Sequence, residues 1–246
     1  MSRALHHTDF LFQTKTGTYP LSTQCEMLVD AGYQGITVSG WSSELNSLSI
    51  VKEHGLYVAA VYAIFRPGLE EFVTNIFNTV EEGTRFELAF DSGDGIQKND
   101  KDILKKLLKI CDERNLDIAL YPHLLYGMQT TSEAVKLCEE FNHPRLGIVF
   151  NAFHWFAGKE LELDKRLDTA FPWLKQVNLS GSRFSPLGWG HVATIEPLDD
   201  GELDNFQIFG ALEQRGYQGH YGVLSWKSMG GNVLGNITRI TDKKSP

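Results

Sequence analysis

The stretch VFNAFHW at 149–155 ends an apolar run in a carboxamide, Asn151, and sets an imidazole, His154, three residues further on. ALYPH at 119–123 places a phenol, Tyr121, and a second imidazole, His123, at alternate positions around Pro122. Imidazole titrates near neutral pH, so each histidine is a candidate proton donor or acceptor. Alternate residues of a strand share a face, so Tyr121 and His123 reach the same side. Asp91, closing FELAFD at 86–91, is the acid best placed to work with His123, while Glu87 in the same run belongs with Arg85 or with a polar layer inside the fold. The catalytic candidates are therefore His123, His154 and Asp91.

Other residues have the chemistry to hold a ligand. Asn151 and Asn178, the latter in VNLSGS at 177–182, carry donor and acceptor together. That suits sugar hydroxyls and equally suits a buried bridge between strands. Ser225 and Lys227 share a face two residues apart, and Lys227 could meet a phosphate or carboxylate. Arg183 and His191 lie in GSRFSPLGWGHVATIEP at 181–197, which is long for a connection and reads as a lid or pocket wall, with both as candidates for meeting an anionic group. Sugar rings stack on aromatic faces, and Phe12, Trp41, Tyr62, Tyr126, Trp155, Trp189 and Trp226 crowd the expected mouth; packing between helices and loops would use the same rings. MGGN at 229–232 offers backbone N–H groups to a phosphate, or is simply a turn. Tyr121, Asn151, Asn178, Ser225, Lys227, Arg183 and Trp155 make up the expected substrate-binding set.

The elements that must position these groups repeat one grammar. DAGYQGITV at 30–38 and QRGYQGHYGV at 214–223 each end a helix on glycine and lead into a strand, and Gly55 and Asn115 close helices in the same way. Ile103, Leu104, Leu107, Leu108 and Cys111 fall on one helical face, with Lys101, Lys105, Lys106 and Lys109 outside it. Thr130 and Glu133 form a capping-box pair that starts a helix stopping near Asn142–Pro144. Strands are predicted at 8–13, 35–40, 56–62, 86–91, 117–122, 146–151, 175–180 and 220–226. Several are apolar throughout, as parallel strands covered on both faces must be. Eight strand and helix units predict an α/β fold, a (β/α)8 TIM barrel with a single domain over 1–246, whose chemistry sits at the carboxyl ends of the strands.

ALYPH, VFNAFHW, VNLSGS and PLDDGELDNFQIFGALEQRGYQG at 197–219 together resemble the sugar phosphate isomerase/epimerase group of the xylose isomerase-like barrels, over nearly the whole chain. The resemblance implies a divalent metal held by Glu, Asp, His and Glu from the fifth to the eighth strands. Carried over position by position, these fall on Tyr121, Asn151, Asn178 and Ser225. Neutral amide and hydroxyl oxygens leave the charge of a small divalent cation uncompensated, and two histidines without a carboxylate fall short of a catalytic zinc site. The expectation is proton transfer beside a sugar carbonyl by His123 or His154 with no cofactor; Mn, Mg or Zn held by displaced ligands such as Glu196, Asp91 and His154 is the runner-up. A non-catalytic sugar-binding or regulatory barrel is the rival from another class.

Composition narrows the partners. Of 246 residues, 42% are hydrophobic and 22% charged, with 15 Phe and 5 Trp, the balance of a chain that folds around a core. A net charge of −8 and the lack of a basic block speak against nucleic acid. Cys25, Cys111 and Cys138 are scattered without a CxxC pair, which suggests a reducing, cytoplasmic setting. The opening MSRALHHTDF has no apolar stretch of signal-peptide length, and no later run approaches a membrane span. The expected partner is a small carbohydrate, with self-association left open.

Overall fold

The computed structural model describes residues 4–13 and 17–226. Eight parallel strands close into a barrel: β1 (Leu5–Thr8), β2 (Gly35–Ser39), β3 (Tyr57–Phe65), β4 (Arg85–Phe90), β5 (Asp117–Leu120), β6 (Leu146–Asn151), β7 (Leu174–Leu179) and β9 (Tyr221–Val223). The ring closes through β9, where Leu5 pairs with Tyr221 and Val177 also pairs with Tyr221. A further strand, β8 (Phe184–Trp189), stands outside the barrel in the connection after β7.

The helices are α1 (Leu21–Asp30), α2 (Ser49–Glu53), α3 (Glu70–Thr79), α4 (Lys98–Arg114), α5 (Thr131–Phe141), α6 (Ala152–Ala157), α7 (Leu163–Ala170) and α8 (Asn205–Gln214). Their boundaries follow local chemistry. α5 starts at the predicted capping box, with Thr130 accepting from the Glu133 N–H and Glu133 answering the Thr130 N–H, and ends where Asn142 turns left-handed. α4 ends on left-handed Asn115, and its predicted apolar face of Ile103, Leu104, Leu107, Leu108 and Cys111 is buried against the strands. Each such aliphatic side chain taken out of water contributes roughly 1.5–3 kcal/mol.

The first strand departs from expectation. The sequence predicts it at 8–13, but the strand is Leu5–Thr8 and residues 9–12 form a 3-10 turn. Asp9 causes the break: its carboxylate accepts from the Ser39 backbone N–H at 2.7 Å and from the Ser39 hydroxyl at 2.6 Å, folding the chain over the end of β2. Phe10 consequently turns to the barrel mouth, while Phe12 is buried in the outer core against His7. The strand itself was masked by its two histidines, which point to opposite sides.

Inside the barrel, a polar layer lies across the lower half. Glu87 of β4 accepts from Asn178 Nδ2 at 2.9 Å and from Gln176 Nε2, and Gln176 lies 3.1 Å from His6 Nε2. All four residues are buried. Burial is the main reason that the Glu87 carboxyl is raised to about 7 and the His6 imidazole lowered to about 3. Gly222 of β9 leaves the space this layer occupies: a Cβ there would collide with Asn178 Oδ1 and His6 Nε2. Above it the interior turns apolar, with Ala89, Ala119, Tyr62, Tyr121, Val149 and Leu224 in one cluster.

Candidate functional site

Two polar strand ends meet at the mouth through tertiary contacts. His123 follows β5 and His154 lies in the first turn of α6, and their ring centroids are 4.0 Å apart. Both are buried. Asn151, the last residue of β6, caps α6 by accepting from the His154 N–H at 3.0 Å and donates through Nδ2 to the Tyr121 hydroxyl at 2.6 Å. The carboxamide therefore fixes both the helix that carries His154 and the phenol of the neighbouring strand. With its oxygen accepting from Asn151, the Tyr121 O–H is left to donate to another acceptor.

The backbone of Leu124 assigns the imidazole tautomers. The Leu124 N–H donates to His154 Nδ1 at 3.2 Å, which puts the His154 proton on Nε2. His123 Nδ1 lies 3.0 Å from the Leu124 carbonyl and must donate to it, which leaves a lone pair on His123 Nε2. The two rings thus offer opposite faces of hydrogen bonding, one donor and one acceptor. Burial holds both neutral: His123 is lowered to about 4, and His154 well below its ordinary value, with the His123 charge adding to the effect.

Aromatic rings enclose this pair. Tyr126 stacks on His123 at 3.8 Å, and Trp189 of β8 meets His123 edge-on at 5.0 Å and His154 at 5.7 Å. On the opposite side Phe10 lies parallel to Trp41 at 6.1 Å, with Trp226 at 5.4 Å and Tyr62 at 5.3 Å. Phe153, Ile64, Ile195 and Leu224 complete a pocket of about 490 Å³, part of it open to solvent. The connection at 181–197 forms its wall as expected: Trp189 and Ile195 enter the lining, and Gly190 and His191, both left-handed, make the tight turn between them.

The remaining sequence candidates fall elsewhere. Asn178 lies in the inner polar layer rather than in the pocket lining. Ser225 faces away from the pocket and hydrogen-bonds to His7 Nε2 at 3.0 Å; the mouth is lined instead by Leu224 and Trp226, because alternate residues of a strand point to opposite sides. Asp91 is engaged by Arg66 Nε at 2.7 Å, yet its charge still acts on His123 and favours the protonated ring; Arg183 is tied to Glu196 at 2.8 Å and Asp200 at 2.7 Å at the base of the β8 excursion. Trp155 packs on the outer side of α6 against Phe150. Lys227 and the MGGN stretch lie outside the described residues. Phe10 and Phe153 are lining residues the sequence reading missed. Phe153, adjacent to His154 in the motif, carried a signal; Phe10 did not, because its orientation depends on the Asp9–Ser39 contact.

The metal ligand positions implied by the resemblance do not converge. Tyr121 and Asn151 touch each other, Asn178 lies beneath them, and Ser225 faces outward. Among the described residues, no three His, Cys, Asp or Glu side chains come together in a way that could hold a metal ion. Asp91, Glu196 and His154, named as displaced ligands, form no such group. The donors at this mouth do not fit a divalent cation.

No helix among the described residues is long and apolar enough to cross a membrane. No curated protein matches the chain. Solved structures do match. A D-allulose 3-epimerase from Methylomonas sp. in complex with D-allulose superposes with a TM-score of 0.79 at 13% identity, over 98% of this chain and 96% of that one. An L-ribulose 3-epimerase gives 0.76 at 14% identity, over 99% and 93%. The probable 3-DHS dehydratase AsbF of Bacillus anthracis gives 0.74 at 16% identity, over 99% of both chains. Likeness at this identity is a likeness of fold. The family model for xylose isomerase-like TIM barrels matches residues 85–238, more than half of the chain. Together with the closed eight-stranded parallel barrel, that match places the chain in the xylose isomerase-like TIM barrel family.

Proposed function

We propose that this barrel is an isomerase or epimerase that moves a proton on the carbon next to the carbonyl of a sugar, using His123 and His154 and no divalent metal. One observation carries the reading: two neutral imidazoles in contact, with opposite tautomers set by the same backbone residue. A hydroxy-carbonyl group needs that pairing. His154 Nε2–H and the Tyr121 O–H donate to the carbonyl oxygen, while His123 Nε2 accepts the proton from the neighbouring carbon.

As that C–H bond breaks, its electron pair forms the C=C bond of an enolate, and the negative charge builds on the oxygen held by the two donors. For isomerisation His123, now protonated, delivers that proton to the former carbonyl carbon, while the neighbouring hydroxyl passes its proton to the enolate oxygen and becomes the new carbonyl. A neutral imidazole can serve as the donor to an enolate, since the hydrogen bond of a buried ring strengthens as charge develops. The low basicity of His123 makes this oxygen stabilisation essential. Solved structures that share the fold include a D-allulose 3-epimerase and an L-ribulose 3-epimerase, and the substrate class proposed here is consistent with them.

Purified protein incubated with a panel of ketoses and aldoses in D2O tests the reading. The expected result is deuterium incorporated at the carbon beside the carbonyl, unchanged by chelation and lost in His123→Ala and His154→Ala. Exchange that requires stoichiometric Mn or Zn overturns it. The lack of a carboxylate among the described lining residues favours a second reading, a sugar-binding or regulatory barrel; there the same variants would keep most ligand affinity, and no member of the panel would exchange.

A further inference from the structure

The mouth has two chemically different ends. Its inner end presents the two imidazoles and the Tyr121 hydroxyl, and its outer side is an aromatic wall built on Phe10, Trp41 and Trp226. Trp41 keeps 47% of its surface exposed although it stacks on Phe10. No lining residue among the described residues is charged. The two arginines nearest in sequence to the mouth elements are already neutralised, Arg66 by Asp91 and Arg183 by Glu196 and Asp200.

A phosphate entering this pocket would give up hydration without meeting a cation among the described residues. The net charge of −8 adds a repulsive field for an anion. An apolar ring faces the opposite balance, since it would cover exposed indole and phenyl surface and release the water held there.

We propose that the mouth takes an uncharged ligand that lays an apolar ring against Phe10, Trp41 and Trp226 and turns its hydroxylated end to His123 and His154, and that it discriminates against phosphorylated sugars. The chemical class is a neutral sugar bearing an apolar ring substituent, such as an aryl glycoside. The inference rests on the reading of this mouth as the ligand site and deepens it by naming what the outer wall recognises.

Calorimetric titration of the full chain tests it, with glucose, galactose, mannose and xylose, their phenyl glycosides, and the hexose 6-phosphates as probes. At least one phenyl glycoside should bind about tenfold more tightly than its parent sugar, the gain expected for covering one ring. No 6-phosphate should bind more tightly than its parent. Trp41→Ala, at a half-exposed position, should bring the phenyl glycoside down to the affinity of its parent sugar measured in the same variant, so that the tenfold ratio is lost. A 6-phosphate that binds more tightly than its parent overturns the proposal, and so does a panel in which no phenyl glycoside gains affinity, including one in which nothing binds. Deuterium exchange is scored separately. Exchange on a sugar phosphate would leave the isomerase reading standing and sink this inference; a phenyl gain without exchange on any member of the panel would do the reverse.

Discussion

His123 and His154 are oriented by a single peptide segment: the carbonyl of Leu124 accepts from one ring and its N–H donates to the other. Because both contacts use Nδ1, the two Nε2 atoms are left in opposite protonation states while the rings stay 4.0 Å apart. A proton donor and a proton acceptor are thus set side by side by backbone contacts, and the charge of Asp91 adds to the basicity of His123.

The first prediction concerns catalysis. His123→Ala and His154→Ala should each lower the rate of solvent proton exchange by about 10²–10⁴. The wild-type rate should be flat from pH 8 to about 5 and fall only as pH approaches 4, where His123 takes up a proton and loses its acceptor. An inflection near 6.5, the ordinary value for histidine, in the pH–rate profile would show that the acceptor is some other group.

Asn151 should matter to stability before it matters to chemistry. Asn151→Ala removes the cap of α6 and the partner of the Tyr121 hydroxyl, at about 1 kcal/mol for each. Asn151→Asp keeps the cap and should stay within about 1 kcal/mol of the parent. Although it restores a carboxylate at a family ligand position, elemental analysis should find no stoichiometric Mn or Zn in it, because Asn178 and Ser225 point elsewhere. Urea unfolding of the three proteins, with metal content measured on the same samples, checks both statements.

Gly222→Ala should destabilise the barrel by about 1–3 kcal/mol, since its Cβ overpacks the layer of His6, Asn178 and Glu87. The lost stability should appear in the urea midpoint at unchanged slope, and Gly210→Ala, where an added Cβ meets nothing, serves as the control.

Acid should unfold the protein early. His6, His7 and His123, lowered to about 3, 4 and 4, and His154, lowered well below its ordinary value, stay neutral in the fold but take up protons when unfolded below about pH 6.5. Glu87 and Asp9, raised to about 7 and 6, act the other way: they hold protons in the fold that the unfolded chain has released. Near pH 5 the unfolded state therefore binds about two protons more than the fold, four on histidines against two on carboxyls. Stability should then fall by about 3 kcal/mol per pH unit between pH 6 and 4.5 and be nearly level above pH 7. Denaturant titrations at half-unit steps measure this directly, and a rise in stability toward pH 5 would contradict it.

The sequence by itself determined the barrel and most of its helix boundaries. Left-handed Asn115 and Asn142, the Thr130–Glu133 box and the apolar face of α4 are local properties, decided within a few residues, and each stands where the spacing puts it. It also singled out His123, His154, Tyr121 and the aromatic residues Trp41, Tyr62, Tyr126, Trp189 and Trp226 that line one pocket.

Only tertiary structure decided which polar strand residues look into that pocket. Asn178 and Ser225 are chemically as suited to a ligand as Tyr121, yet their neighbours on other strands claim them, Glu87 in one case and His7 in the other. Asp9 bends the chain after β1 only because Ser39, thirty residues later, is there to donate to it. Whether a polar side chain at a strand end meets a ligand or a partner strand depends on strand parity and on groups distant in sequence, and such distant pairing is what local spacing does not encode.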